Sequence, residues 1–313
     1  MPEFLTPKQV ARAIQVSESS VKRWCDKGVI ASQKTAGGHR RIPLAELLEF
    51  LRATDRVLIR PEVIGLPAST GQTSRVTDRA CRQLMNALVS GDEQQCRQIT
   101  MDLYLAEHSI SSICDRAIAP AFEMIGEAWE CGDAEVYQER RGCEIALRVL
   151  RELRSLVPEP PQESSIAIGG AVEGDQYNIG TTMAELVLRD AKWNATSLGN
   201  NLPFETLAEA IKNHKPRLFW ISCSHIANED EFIRSYSALY EQFGLDVAFV
   251  VGGRSLVESL RQQMKYAAFC DNMQHLDSFA QTLRGASERT HGKQLKSIHS
   301  LQQSEDLQQG EER

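Results

Sequence analysis

From residue 165 onward the chain alternates short apolar runs with helical stretches, and no other feature limits its fold so strongly. The runs SIAIGGA (165–171), NATSLGN (194–200), RLFWISCS (217–224), LDVAFVV (245–251) and AAFC (267–270) have strand length. Helical patterns fall near residues 179–191, 204–214, 229–243, 254–263 and 274–284. A helix between successive strands requires a crossover over a sheet face, so the strands run parallel and helices cover both faces.

The expected unit is a flavodoxin-like α/β domain over residues 165–285, with a five-stranded parallel sheet and ligands at the carboxyl ends of its strands. The stretch EGDQYNIG (173–180) follows the first strand, where a binding loop belongs. Residues 75–157 carry helical apolar sets: Leu84 and Leu88; Ile99 and Leu103; Ile113, Ala117, Ala121, Met124 and Ala128; Ile145, Leu147, Leu150 and Leu153. With breaks at SGD (90–92), EHS (107–109) and CGD (131–133), they predict a four-helix bundle in which Pro120 bends the third helix or starts a new turn. Residues 54–74, with two prolines and two glycines, read as a linker that lets the N-terminal part reorient. The polar, Gln/Ser-rich residues 286–313 read as a disordered tail that can be removed without loss.

Charge divides the chain unevenly. Residues 1–60 carry 11 Lys/Arg against 6 Asp/Glu, whereas the remainder carries 24 against 36. Phosphate attraction is screened over about 8 Å in physiological salt, so a basic head on an acidic body directs a polyanion to the head alone. Within residues 1–53, Thr6, Pro7 and Gln9 start one helix, and Ser17 caps a second whose inner side carries Val21, Trp24 and Cys25. A turn at Gly37-Gly38 then leads through His39, Arg40 and Arg41 to a short amphipathic helix. This is the pattern of a winged helix-turn-helix for double-stranded DNA. Ser19, Ser20, Lys22, Arg23, His39, Arg40 and Arg41 are the candidate DNA contacts, and Trp24 is expected in the core.

The eight cysteines show no Cys-x-x-Cys pair and no zinc-like spacing, so they are expected as small buried hydrophobes rather than disulfides or metal ligands. No run of 18 apolar residues and no secretory signal pattern occurs, and a cytoplasmic protein without membrane contact is expected.

The head resembles the MerR and excisionase type of winged helix-turn-helix through Val16-Ser17, Trp24 and GGHRR (37–41). The rest resembles cobalamin-binding domains, whose first motif is Asp-x-His-x-x-Gly. Here Asp175, Tyr177 and Gly180 stand in that frame; Ser222-Cys223-Ser224 follows after 41 intervening residues, and Gly252-Gly253 after 27 more. The bundle is similar to that of the light-sensing, cobalamin-dependent repressors of carotenoid genes, which carry a Trp, nine residues and Glu-His. This chain has Trp129, nine residues and Glu139-Arg140.

In that family the first-motif histidine ligates cobalt from below, steadied by the aspartate two residues before it, so the resemblance implies a cofactor site with its metal ligand replaced by Tyr177. A phenol keeps its proton at neutral pH and is a poor substitute. Three readings follow. The body has lost cobalamin and serves as an interaction module; it holds cobalamin by the vitamin's own base, or another flat ligand, beneath Trp129; or it is a corrinoid carrier subunit of an enzyme. The last lacks a substrate-binding barrel. His225, directly after Ser224, is a substitute ligand candidate. The expected function is a non-enzymatic DNA-binding repressor, acting as a homo-oligomer on a palindromic operator, with any cofactor left open.

Overall fold

The computed structural model describes residues 4–54, 56, 58–66, 74–132 and 134–285. The head comprises β1 (Phe4–Leu5), α1 (Pro7–Ala13), α2 (Glu18–Asp26), β2 (Gln33–Lys34), β3 (Arg40–Pro43) and α3 (Leu44–Ala53). Thr6 and Gln9 close a capping box on α1, and the Ser17 side chain accepts the Ser20 N–H at the start of α2. Those caps fix the angle at which the two helices meet, so Val10, Ala11, Ile14 and Val21 are buried together. Trp24 packs on Phe50 with ring centroids 5.0 Å apart, as its inner position predicts. β2 and β3 pair antiparallel as the wing, with Gln33 opposite Arg41 and Lys34 opposite Arg40.

Part of the expected linker is not a free tether. Residues 58–66 fold back on the head: the N–H groups of Ile59 and Arg60 donate to the Ala13 carbonyl, and Pro61–Ile64 form a 3-10 turn. Ile64 and Leu66 are buried, and their apolar area outweighs the Pro/Gly signal. The rest of the expected linker, apart from Thr54, Arg56 and Ser74, lies outside the described residues, as do residues 286–313.

The helical region contains α4 (Ser74–Ser90), α5 (Glu93–Leu105), α6 (Ile110–Ile113), α7 (Ala119–Glu130) and α8 (Val136–Arg154). A π-helical segment, Cys114–Ile118, joins α6 to α7 immediately before Pro120. Proline lacks an N–H and its ring crowds the carbonyl four residues back, and the widened turn accommodates both.

The sheet contains β4 (Ile166–Ala171), β5 (Asn194–Ser197), β6 (Leu218–Ser222), β7 (Ala248–Gly252) and β8 (Ala268–Cys270) in the order β5-β4-β6-β7-β8, every pair parallel. Helices α9 (Ile179–Asp190), α10 (Phe204–His214), α11 (Glu229–Phe243), α12 (Glu258–Arg261) and α13 (273–285) cover it. Alternate residues serve opposite faces. Leu218, Trp220 and Val250 join the core beneath α9, α13 and the bundle, while Phe219, Ile221, Phe249 and Val251 join a second core beneath α10 and α11.

Bundle and sheet meet along a seam. The Asp115 carboxylate accepts the N–H groups of Met273 and Gln274 at 2.8 and 2.9 Å, capping α13 from the neighbouring layer. Farther along, Arg154 pairs with Glu185 at 3.0 Å. The head touches the body where Arg52 lies 4.4 Å over the Tyr104 ring and Lys192 approaches Glu49 at 3.7 Å.

Candidate functional site

Two surfaces carry the candidate residues. On the head, Ser19, Lys22, Arg23, His39 and Arg41 are exposed along α2 and the wing, with Ser20 and Arg40 half-buried. The cations are not equivalent. Lys22 pairs with Glu18 at 2.8 Å, one helical turn earlier, and Arg40 donates to Asp26 at 2.5 Å, which ties the wing to the end of α2. Arg23 and Arg41 form no ion pair among the described residues, leaving their charge available to a phosphate. Ser19 and Ser20 hydroxyls lie 2.9 and 2.8 Å from the Ser17 hydroxyl and belong to the helix cap.

The second surface is a cavity of about 430 Å³ in the seam, at the carboxyl ends of β4, β6 and β7. Met183, Ile221, Val250, Val251 and Leu276 supply apolar wall; Glu123, Glu139, Ser222, Ser224 and Arg254 supply polar groups. Cys143 and Cys270 also line it, and burial pushes each thiol up to about 11, so both stay protonated at neutral pH.

Asp175 is fully buried, and its carboxylate accepts the N–H groups of Tyr177, Ser224 and His225 at 3.0, 2.6 and 3.2 Å. It therefore ties the loop after β4 to the loop after β6. The glycines are close-approach positions: a Cβ at Gly180 would stand 2.6 Å from the Ser222 hydroxyl, and one at Gly252 2.8 Å from the Cys270 carbonyl. At Gly253, with φ +114°, it would meet the Cys223 carbonyl at 2.3 Å.

Tyr177 lines the cavity, and two guanidiniums lie over its ring, Arg140 of α8 at 5.2 Å and Arg254 at 5.5 Å from the centroid. The bundle and the sheet thus meet on one phenol. Arg254 also donates to the Ser224 carbonyl at 3.3 Å. Sequence reasoning did not single it out; the only available signal was its place directly after Gly252-Gly253.

Trp129, near the end of α7, is 51% exposed and is not among the residues lining the cavity. His225 contributes its backbone N–H to Asp175, and its side chain is exposed and outside the lining. Cys131 is exposed and Cys25 and Cys143 half-buried, because they fall at helix ends or on the seam rather than at inner positions. Among the described residues no group of three or more His, Cys, Asp or Glu side chains is placed to hold a metal ion. No described helix is long and apolar enough to cross a membrane.

A helix-turn-helix domain model matches residues 4–55, and a B12 binding domain model matches residues 80–154. The chain is 25% identical over 233 residues to the HTH-type transcriptional repressor CarH of Myxococcus xanthus, covering 74% of this chain and 72% of that protein. It is also 25% identical over 137 residues to monomethylamine corrinoid protein 1 of Methanosarcina acetivorans, covering 42% of this chain. The matched region spans only 63% of that relative's length. The solved monomethylamine corrinoid protein of Methanosarcina barkeri superposes with a TM-score of 0.57 at 16% identity, over 68% of this chain and all of that one. That likeness establishes a shared bundle-and-sheet fold.

Proposed function

We propose that this chain is a DNA-binding transcription regulator, with a MerR-type head over residues 1–53 and a body over residues 75–285 that descends from a cobalamin-binding domain. One observation carries the reading: a winged helix-turn-helix with exposed Arg23 and Arg41 is joined in a single chain to a bundle-and-sheet body, and the likeness to a repressor extends over 74% of the chain. A corrinoid carrier would have no use for a basic head. The protein is read as a repressor rather than an enzyme, and paired heads on a palindromic operator would supply the contact area one head lacks.

The residues at the seam do not fit a cobalamin held through position 177. Tyr177 offers no imidazole nitrogen, and the Asp175 carboxylate that would steady one is occupied by three backbone N–H groups. Arg140 and Arg254 crowd the ring with two positive charges where a cobalt cation would have to approach. The body is therefore read as working without histidine-ligated cobalamin.

Two measurements test this. Full-length protein incubated with hydroxocobalamin or adenosylcobalamin and then desalted should show no corrin absorption. Selection of DNA fragments by the full chain should enrich an inverted repeat whose binding weakens steeply with salt. A retained spectrum of the histidine-ligated type, or binding indifferent to salt and sequence, would overturn the respective half of the reading.

A further inference from the structure

We propose that the seam cavity binds a small organic monoacid with an apolar body, its carboxylate held by Arg254 of the lining and by Arg140 over the same Tyr177 ring. This rests on the reading that position 177 does not ligate cobalt.

The charge arrangement is the starting point. Several described arginines have carboxylate partners: Arg40 with Asp26, Arg148 with Glu93, Arg154 with Glu185. Arg140 and Arg254 come from different layers, converge on one ring, and have no carboxylate within 4.0 Å among the described residues. Arg140 is engaged by the Tyr177 face, and Arg254 by that face and by the Ser224 carbonyl at 3.3 Å. The ring contact is weak for exposed cations beside a charge-assisted, two-pronged bond to a carboxylate. An anion that reaches both would neutralise them and join bundle to sheet through two guanidinium forks.

The cavity determines what the acid must carry. At about 430 Å³ it has the volume of a small-molecule site, and Met183, Ile221, Val250, Val251 and Leu276 leave it largely apolar. An inorganic anion would satisfy the arginines and leave that wall unused. Asp115, Glu123, Glu139 and Asp271 also line the cavity and would repel a second acid group. A single carboxylate beside Tyr177 with a hydrocarbon body within meets all three constraints.

The test uses full-length protein and four probes: 2-naphthoate, its neutral amide, inorganic phosphate and hydroxocobalamin. By calorimetry and thermal shift, 2-naphthoate should bind and raise Tm, with affinity falling as salt rises. Arg140→Gln and Arg254→Gln should each weaken binding about tenfold, and Arg254→Lys should lie between, since an ammonium keeps the charge but loses the fork. Both arginines are exposed and each variant loses one exposed cation–π contact, so unliganded Tm should fall by only about 1–2 °C. The proposal fails if 2-naphthoate does not bind, if the amide or phosphate binds as well, or if the double Gln variant keeps full affinity. Uptake of hydroxocobalamin with a histidine-type spectrum would instead sink the underlying reading; naphthoate binding lost while cobalamin stays unbound sinks only this one.

Discussion

The head and the seam both present arginines, but they hold them in opposite ways. On the head, Asp26 fixes Arg40 and Glu18 fixes Lys22, so half of the basic set is positioned by carboxylates while Arg23 and Arg41 carry the free charge outward. Among the described residues neither Arg140 nor Arg254 in the seam has a carboxylate; one phenol faces both, and Arg254 also donates to the Ser224 carbonyl. Charge positioned by counter-charge makes a surface ready to dock on a regular array of phosphates. Charge positioned by an aromatic face keeps its full attraction for one incoming anion. The difference separates a region built for a polyanion from one built for a small ligand or for closing two layers on each other.

The severest way to break the comparison is at the scaffold. Gly253→Ala places a methyl against the Cys223 backbone at 2.3 Å with φ +114°, and should cost about 3 kcal/mol or more, lowering the Tm of the body by about 10 °C. If calorimetry finds the body unmoved, the Gly-Gly pair is not a close-approach device. Next come the head cations: Arg23→Ala and Arg41→Ala should each weaken specific DNA binding about tenfold and lower the salt slope by about one, whereas Arg40→Ala should do less because Asp26 already engages it. Equal effects from all three in a fluorescence titration would erase the distinction drawn on the head.

At the seam, Tyr177→Ala removes two exposed cation–π contacts and should cost about 1 kcal/mol in the chemical denaturation midpoint, with faster amide exchange at the start of α8. Tyr177→His with Arg140→His restores two imidazoles and relieves the cation crowding; partial cobalamin uptake by this double variant would show that the slot remains and only its ligands changed.

The smallest effect concerns the bundle. Burial raises the Asp102 carboxyl to about 6 from its ordinary 3.8, and its Oδ1 is buried without a partner. The folded state therefore favours the protonated acid, and that stabilisation is present below about pH 4 and lost as pH rises through about 6. Asp102→Asn should raise Tm by a few degrees at pH 7.5 and by nothing at pH 3.5, as a scan at the two pH values would show.

Much of the fold was legible because it is written in short-range signals. The caps at Thr6 and Ser17, the alternation along Leu218, Phe219, Trp220 and Ile221, and the helix-breaking chemistry of Pro120 each act within a few residues. The fold-back of residues 58–66 was not, since Pro and Gly content cannot report that Ile64 and Leu66 find a partner in α1. Of the candidate site, Asp175, Gly180, Ser222, Ser224, Gly252 and Gly253 lie together as loop ties and close approaches. Trp129 and His225 do not join them, because a frame shared in sequence does not fix the direction of an exposed side chain at a helix end or loop.

By itself the sequence determined the order of layers: periodicity of 2 and 3.6 and the capping residues commit each segment to strand or helix, and alternation commits the sheet to parallel strands. Tertiary structure alone decided that Arg140, Tyr177 and Arg254 meet, because the three lie on α8, the loop after β4 and the loop after β7. Their approach depends on how α8 seats on α9 and how the Asp175 carboxylate draws two loops together. Such contacts are set by packing between distant segments, and no local pattern in the chain encodes them.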